Sequence, residues 1–190
     1  MKNKLIYLLF VLPRIVKYQI LSTNQVKGRI PIKNYPCLFS GKGQISFGEN
    51  TKLGYKDSPC FYSGYSYFEA RTLNAKISIG NQVFINNKCS IVADKSSVEI
   101  KDKVLIGTNC NILDSDFHDL HPDKRHQNSQ KYKKVVIEEN VFIGNNVTIL
   151  KGVTIGENSV IGAGSVVVKD IPKNVIASGV PCQVIRLLDA

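Results

Sequence analysis

The chain has 190 residues, 43% of them hydrophobic, and carries 25 Lys and Arg against 15 Asp and Glu. That length fits one domain, or one domain with an appendage, and the formal charge of +10 favours anionic partners such as phosphate-bearing cofactors, nucleotide sugars, acidic glycans or anionic lipid. Nucleic acid is disfavoured because no aromatic-plus-basic recognition motif stands out, and five cysteines without a C-x-x-C pair read as packed thiols of a reducing cytosol.

In chain order, residues 1–21 form an apolar and basic segment, "MKNKLIYLLFVLPRIVKYQI" and Leu21. Its apolar run, Leu5 to Leu12, falls short of the ~20 residues that a spanning helix needs, and no small-x-small cleavage site follows it. Two readings stand: a segment docked on the rest of the fold or on a neighbouring subunit, and a basic amphipathic stretch in peripheral contact with a membrane, at its cytoplasmic face. Residues 22–72, rich in Gly, Pro, Tyr and Phe, show little periodicity and are expected to form irregular first rungs.

A six-residue repeat dominates residues 73–170. Ile137, Ile143, Ile149, Ile155 and Ile161 lead successive hexapeptides, as do Leu73, Ile79, Ile85 and Ile91, and, three residues out of phase, Ile100, Ile106 and Ile112. The fifth place is small or β-branched, as at Val83, Cys89, Cys110, Val147 and Ser165. Neither a helix nor a free-standing strand has that period. A parallel β-helix does, with the leading aliphatic residue pointing into a narrow core. Gly80, Gly107, Gly144, Gly156 and Gly162 at second places are expected to supply positive φ in the turns.

His118 stands where the repeat would place isoleucine, followed by a polar stretch, 119–134, long enough to leave the coil as a loop. A histidine fixed at the root of such a loop is a candidate general base, and Asp114 and Asp116 are close enough in sequence to orient it. His121 and His126 belong to the loop. Three histidines without helical H-x-x-x-H spacing or a cysteine give no metal site, and no Ser/His nucleophile or Walker-type loop is present. Residues 171–190 form a C-terminal segment.

"NSVIGAGSVVVKDIPKNVIASGVPCQVIR", Asn158 to Arg186, closely resembles the C-terminal signature of hexapeptide-repeat acetyltransferases, in the branch of galactoside and maltose O-acetyltransferases and relatives that decorate capsule and O-antigen sugars. "DFHDLHP" resembles that branch's catalytic segment. The resemblance implies an all-β fold: a left-handed parallel β-helix, a triangular prism with an ejected loop and a short C-terminal helix, assembled as a homotrimer with acetyl-CoA between neighbouring prisms.

It further implies that His118 deprotonates a sugar hydroxyl, with the backbone N–H of Asn145 as oxyanion donor; Asp116 is the expected orienter from its nearness in sequence. Phe142, Gly144, Gly162, Ala163, Lys169 and Arg186 match cofactor-binding positions, the two cations at the nucleotide phosphates or adenine end. Two departures bear on the acceptor: Phe142 replaces a tryptophan common in the family, and residues 1–72 do not resemble its compact N-terminal helical segment. N-acetylation of a nucleotide-linked amino sugar and a catalytically silent scaffold stand as alternatives to sugar O-acetylation.

Overall fold

A computed structural model describes residues 5–127 and 131–188. Among these, twenty short strands wind into a parallel β-helix whose three faces are sheets of six, eight and six strands. The first coil runs Lys27–Gly28, Ile32–Lys33 and Cys37–Ser40, one strand per face, and the sixth runs Thr154–Ile155, Val160–Ile161 and Val166–Val167. The hexapeptide period is therefore one face plus one turn, and three hexapeptides close a coil.

Stacking converts the period into three ladders of buried side chains. Phe47, Ile79, Ile100, Ile137 and Ile155 align on the first face. Leu53, Ile85, Ile106, Ile143, Ile161 and Ala177 align on the second, and Phe39, Phe68, Ile91, Ile112, Ile149 and Val167 on the third. All belong to one core cluster, and burying each aliphatic side chain stabilises the coil by about 1.5–3 kcal/mol. The fifth-place residues are buried with them.

The turns work differently from the sequence expectation. Positive φ falls on the fourth place, at Gln82, Lys103, Asn109, Asn140, Asn146 and Asn158, for example, and not on the second-place glycines. Those glycines are required by close approach: a Cβ at Gly144 would lie 2.7 Å from the backbone nitrogen of Ala163, and one at Gly156 2.4 Å from that of Lys173. Coils 4.8 Å or so apart leave no room there for a side chain.

The coil also begins earlier than the isoleucine pattern. Residues 27–70 pair in register with the coils that follow, but their inward positions hold Cys37, Phe39, Phe47, Phe68 and Ala70, and Gly54–Tyr65 leaves the coil as an excursion without strands. Leu73, read as a ladder residue, is 79% exposed in the turn between two coils. At the other end the expected C-terminal helix is absent among the described residues. Val175–Gly179 instead continues the second face parallel to Val160–Ile161, and Cys182–Leu187 returns antiparallel to it. The β-branched pairs Val175-Ile176 and Val184-Ile185 favour strands, and Gly179, at φ 110°, makes the turn that a helix would not.

Leu5–Leu21 is helical, with a π-helical turn at Tyr7–Val11 before the α-helix Leu12–Leu21. It lies against Tyr35 and the Gly54–Tyr65 excursion. Val11 is buried with Tyr35 and Phe61, Tyr18 stacks on Tyr65 at 4.3 Å between ring centroids, and the Arg14 guanidinium donates to the carbonyls of Phe61 (3.1 Å) and Gly64.

Candidate active site

The chain leaves the third face at Asp114, four residues before His118. Asp114 is fully buried, and its carboxylate accepts from the backbone N–H groups of Asp94 (2.7 Å) and Ser96 (2.8 Å), clamping the turn of the preceding coil. Burial pushes its pKa up, against the pull of those N–H bonds. Ser115 bridges Tyr132, and Lys133 N–H donates to Asp114 O, so the two ends of the loop are tied together at its root.

His118 thus occupies no inward position; the ladder has already ended, and the side chain is exposed rather than shielded. Phe117, at φ 62°, turns the chain outward, and its ring lies under the Arg71 guanidinium at 4.8 Å. The His118 backbone N–H donates to Asp116 O at 2.7 Å, and its imidazole Nδ1 lies 3.0 Å from Arg125 O. A carbonyl oxygen has only lone pairs to offer, so Nδ1 carries a proton, and in the neutral imidazole Nε2 then keeps its lone pair. That is the tautomer of a general base, held by main chain.

The Asp116 carboxylate, expected to orient His118, is engaged by Lys151. Its Oδ1 pairs with Lys151 Nζ at 2.5 Å, while Oδ2 is buried without a partner among the described residues. Lys151 sits in the corresponding turn of the next coil and anchors the loop root from above; a lysine at the turn place that Asn145 and Glu157 hold in the flanking hexapeptides is the signal in the sequence. His121 is capped locally, receiving the N–H of Asp123 on Nδ1.

The other predicted residues lie elsewhere on the prism. Phe142 projects outward from the second face, and Gly144 and Asn145 form the turn between second and third faces, with Gly162 and Ala163 stacked above them. Asn145 O accepts from Gly164 N–H, and its side-chain Oδ1 accepts from Thr108 N–H, so this edge is rigid. Lys169 lies on the same edge as the loop root, exposed, and Arg186 on the final strand, where it donates to Leu187 O. His118 and Asn145 therefore occupy different edges of one prism. Two hollows, of about 470 and 580 Å³, lie beside the N-terminal helix and on the second face, and none of these candidate residues lines them.

A coil of parallel strands with hexapeptide turns and a histidine-bearing loop defines the class. Residues 134–169 match the family model described as bacterial transferase hexapeptide (six repeats). The chain is 40% identical over 142 residues to a galactoside O-acetyltransferase of Lactococcus lactis subsp. lactis, covering 75% of this chain and 62% of that enzyme; it thus spans less than two thirds of that relative. An acetyltransferase from Vibrio cholerae O1 biovar eltor, solved with acetyl coenzyme A, superposes with a TM-score of 0.58 at 30% identity, covering 75% of this chain and 70% of that one. A maltose O-acetyltransferase from Clostridium difficile 630 superposes at 0.55 with 33% identity, covering 84% and 72%.

The chain belongs to the hexapeptide-repeat acetyltransferase family, and its coil is the left-handed β-helix of those structures.

Proposed function

We propose that the protein is an acetyl-CoA-dependent O-acetyltransferase that acts on a sugar hydroxyl of an envelope glycan, such as a capsule or O-antigen precursor, in the cytoplasm. The observation that carries the reading is the His118 imidazole, set at the loop root with Nδ1 against the Arg125 carbonyl and Nε2 left as acceptor. Nε2 takes the proton of the sugar hydroxyl as its oxygen attacks the thioester carbonyl carbon. The Asn145 N–H stabilises the oxyanion. The C–S bond then breaks, and the imidazolium returns the proton to the departing thiolate, leaving a sugar acetyl ester and free CoA.

His118 and Asn145 lie on different edges of one prism, so a site holding both needs two chains. That favours a homotrimer with one site in each of its three clefts. Phe142 and the Gly144, Gly162 and Ala163 turns line the thioester arm, and Lys169 and Arg186 meet the nucleotide end.

The test is thiol release from acetyl-CoA with a panel of sugar acceptors, amino sugars included, alongside light scattering. Ester formation by a trimer is expected. An amide product in place of the ester would move the reading to N-acetylation, and a fully active monomer would remove the shared site. Lys169→Ala and Arg186→Ala should each weaken acetyl-CoA binding by about 1.5–3 kcal/mol, the range for a charge-assisted hydrogen bond. Acetyl-pantetheine, which lacks the nucleotide, should be affected little; equal losses with both donors would place the cations elsewhere.

A further inference from the structure

The helix at Leu5–Leu21 is apolar on two sides. One, built from Val11, Ile15 and Tyr18, packs on the prism. The other, Leu5, Leu9, Leu12, Val16 and Ile20, recurs at helical spacing and faces outward, with Leu5 58%, Leu9 59% and Ile20 78% exposed. A docked helix gains nothing for the core from that outer stripe, and an apolar surface of this kind marks an interaction site. Arg14, pinned to Phe61 and Gly64, fixes the helix so that the stripe stays outward.

Charge selects the occupant. Of the 25 basic and 15 acidic residues, residues 1–56 hold ten basic and one acidic, so +9 of the formal +10 falls in the first 56 positions; residues 57–190 are close to neutral. No acidic side chain lies between Leu5 and Leu21, and Lys17 is exposed there. A second copy pressed on this stripe would bring two strongly cationic ends together, whereas an anionic bilayer offers both apolar depth and opposite charge. No helix among the described residues is long and apolar enough to cross a membrane. The geometry points to an in-plane anchor: we propose that Leu5–Leu21 seats the protein on an anionic lipid surface through the Leu5, Leu9, Leu12, Val16, Ile20 stripe. This inference does not depend on the transferase reading.

Cosedimentation of the full chain with phosphatidylcholine vesicles, with and without phosphatidylglycerol, tests it. The wild type should bind the anionic vesicles, bind neutral ones poorly, and lose affinity as salt rises. Leu9→Gln/Ile20→Gln, at exposed positions, should keep its melting temperature and weaken anionic-vesicle binding about tenfold or more, given the apolar area withdrawn from the interface. Lys17→Gln should weaken it about fivefold, the effect of one basic residue near an anionic surface. Equal binding by the wild type and the double variant, or equal binding to neutral and anionic vesicles, overturns the proposal. So does a change of oligomeric state in the double variant, which would make a second copy the occupant. Acetyl transfer to a water-soluble acceptor should be unchanged in these variants. A chain that binds vesicles but transfers no acetyl group leaves the anchor standing and removes the transferase reading instead.

Discussion

The coil is interrupted twice, and the two excursions are built on opposite principles. Gly54–Tyr65 is tied down along its length: the Asn87 side chain, fully buried, donates to the carbonyls of Tyr55 and Pro59 at 3.0 Å and accepts from Tyr55 N–H at 3.0 Å, and the Tyr35 hydroxyl donates to Ser63 O at 2.5 Å. Burial pushes the Tyr35 phenol up to about 12, so it stays a donor across the physiological range. The stretch between Asp114 and Lys134 is tied at its root, by Asp114, by the Ser115–Tyr132 bridge and by Lys151 on Asp116, and from there the side chains of its described residues are largely exposed. Most side chains of both excursions are exposed, but a corner that pins an excursion along its length makes a floor on which a helix can lie. One that holds only the root presents side chains to whatever enters the neighbouring cleft.

The largest expected effect tests the second half of that contrast. His118→Ala should lower acetyl transfer by about 10² to 10⁴-fold, the range for a positioned general base, with acetyl-CoA affinity, oligomeric state and melting temperature unchanged. His121→Ala, whose imidazole only caps a turn within the loop, should leave turnover within a few-fold. Steady-state kinetics with thiol detection separates the two. If His118→Ala unfolds the chain without a specific effect on turnover, the histidine is a structural part of the loop root and the contrast fails.

The next effect falls on stability. Asn87→Ala removes the partner of one N–H and of three carbonyls, those of Tyr55, Ser58 and Pro59, in a part-buried corner, and leaving such groups without it costs on the order of 1–3 kcal/mol in total. Urea denaturation should show that loss, and limited proteolysis should find Leu5–Leu21 cut sooner, because the bed formed by Phe61 and Tyr65 is no longer fixed. A silent Asn87→Ala would mean that the aromatic contacts alone hold the first excursion.

These two sites also mark how far the sequence could be read. The isoleucine ladders from Ile79 to Ile161 were legible because a coil of constant radius admits one class of side chain at each inward place, and the period survives even the three-residue offset at Ile100. The first coils were not: their inward places hold aromatic and small residues that compensate one another across faces, Phe39 stacking on Phe68 at 5.3 Å and meeting Phe47 edge-on at 5.8 Å, so the volume is conserved while the pattern is lost. His118 stood out for the wrong reason. By spacing it is an intruder in the ladder, whereas the chain leaves the coil at Asp114, and no local pattern announces where a chain stops stacking. The partner of the Asp116 carboxylate, Lys151, arrives only when the next coil closes, so no local pattern shows it. The strand Val175–Gly179 is hidden likewise, since its partner, Val160–Ile161, is an earlier hexapeptide on the same face.

The smallest effect concerns how the second excursion rejoins the coil. Lys134 returns the chain to the first face by pairing with Glu99, and Lys101 lies 3.5 Å from the same carboxylate. The hydrogen bond from Lys134, followed by the charge of Lys101, holds Glu99 below the usual carboxylate range. A carboxylate whose folded pKa is depressed adds stability that is present above its unfolded value, about 4.3, and disappears as pH falls through the lower folded value. Both lysines are nearly half exposed, so solvent screening reduces the pair to about 0.2–1 kcal/mol. Glu99→Gln should therefore be slightly less stable than the wild type at pH 7, and the difference should close on acidification as wild-type Glu99 takes up its proton. Denaturation midpoints at neutral and acidic pH read this directly. A deficit that persists undiminished in acid would assign the loss to packing of the side chain rather than to its charge, and the rejoining end of the loop would then be held as firmly as the first excursion is.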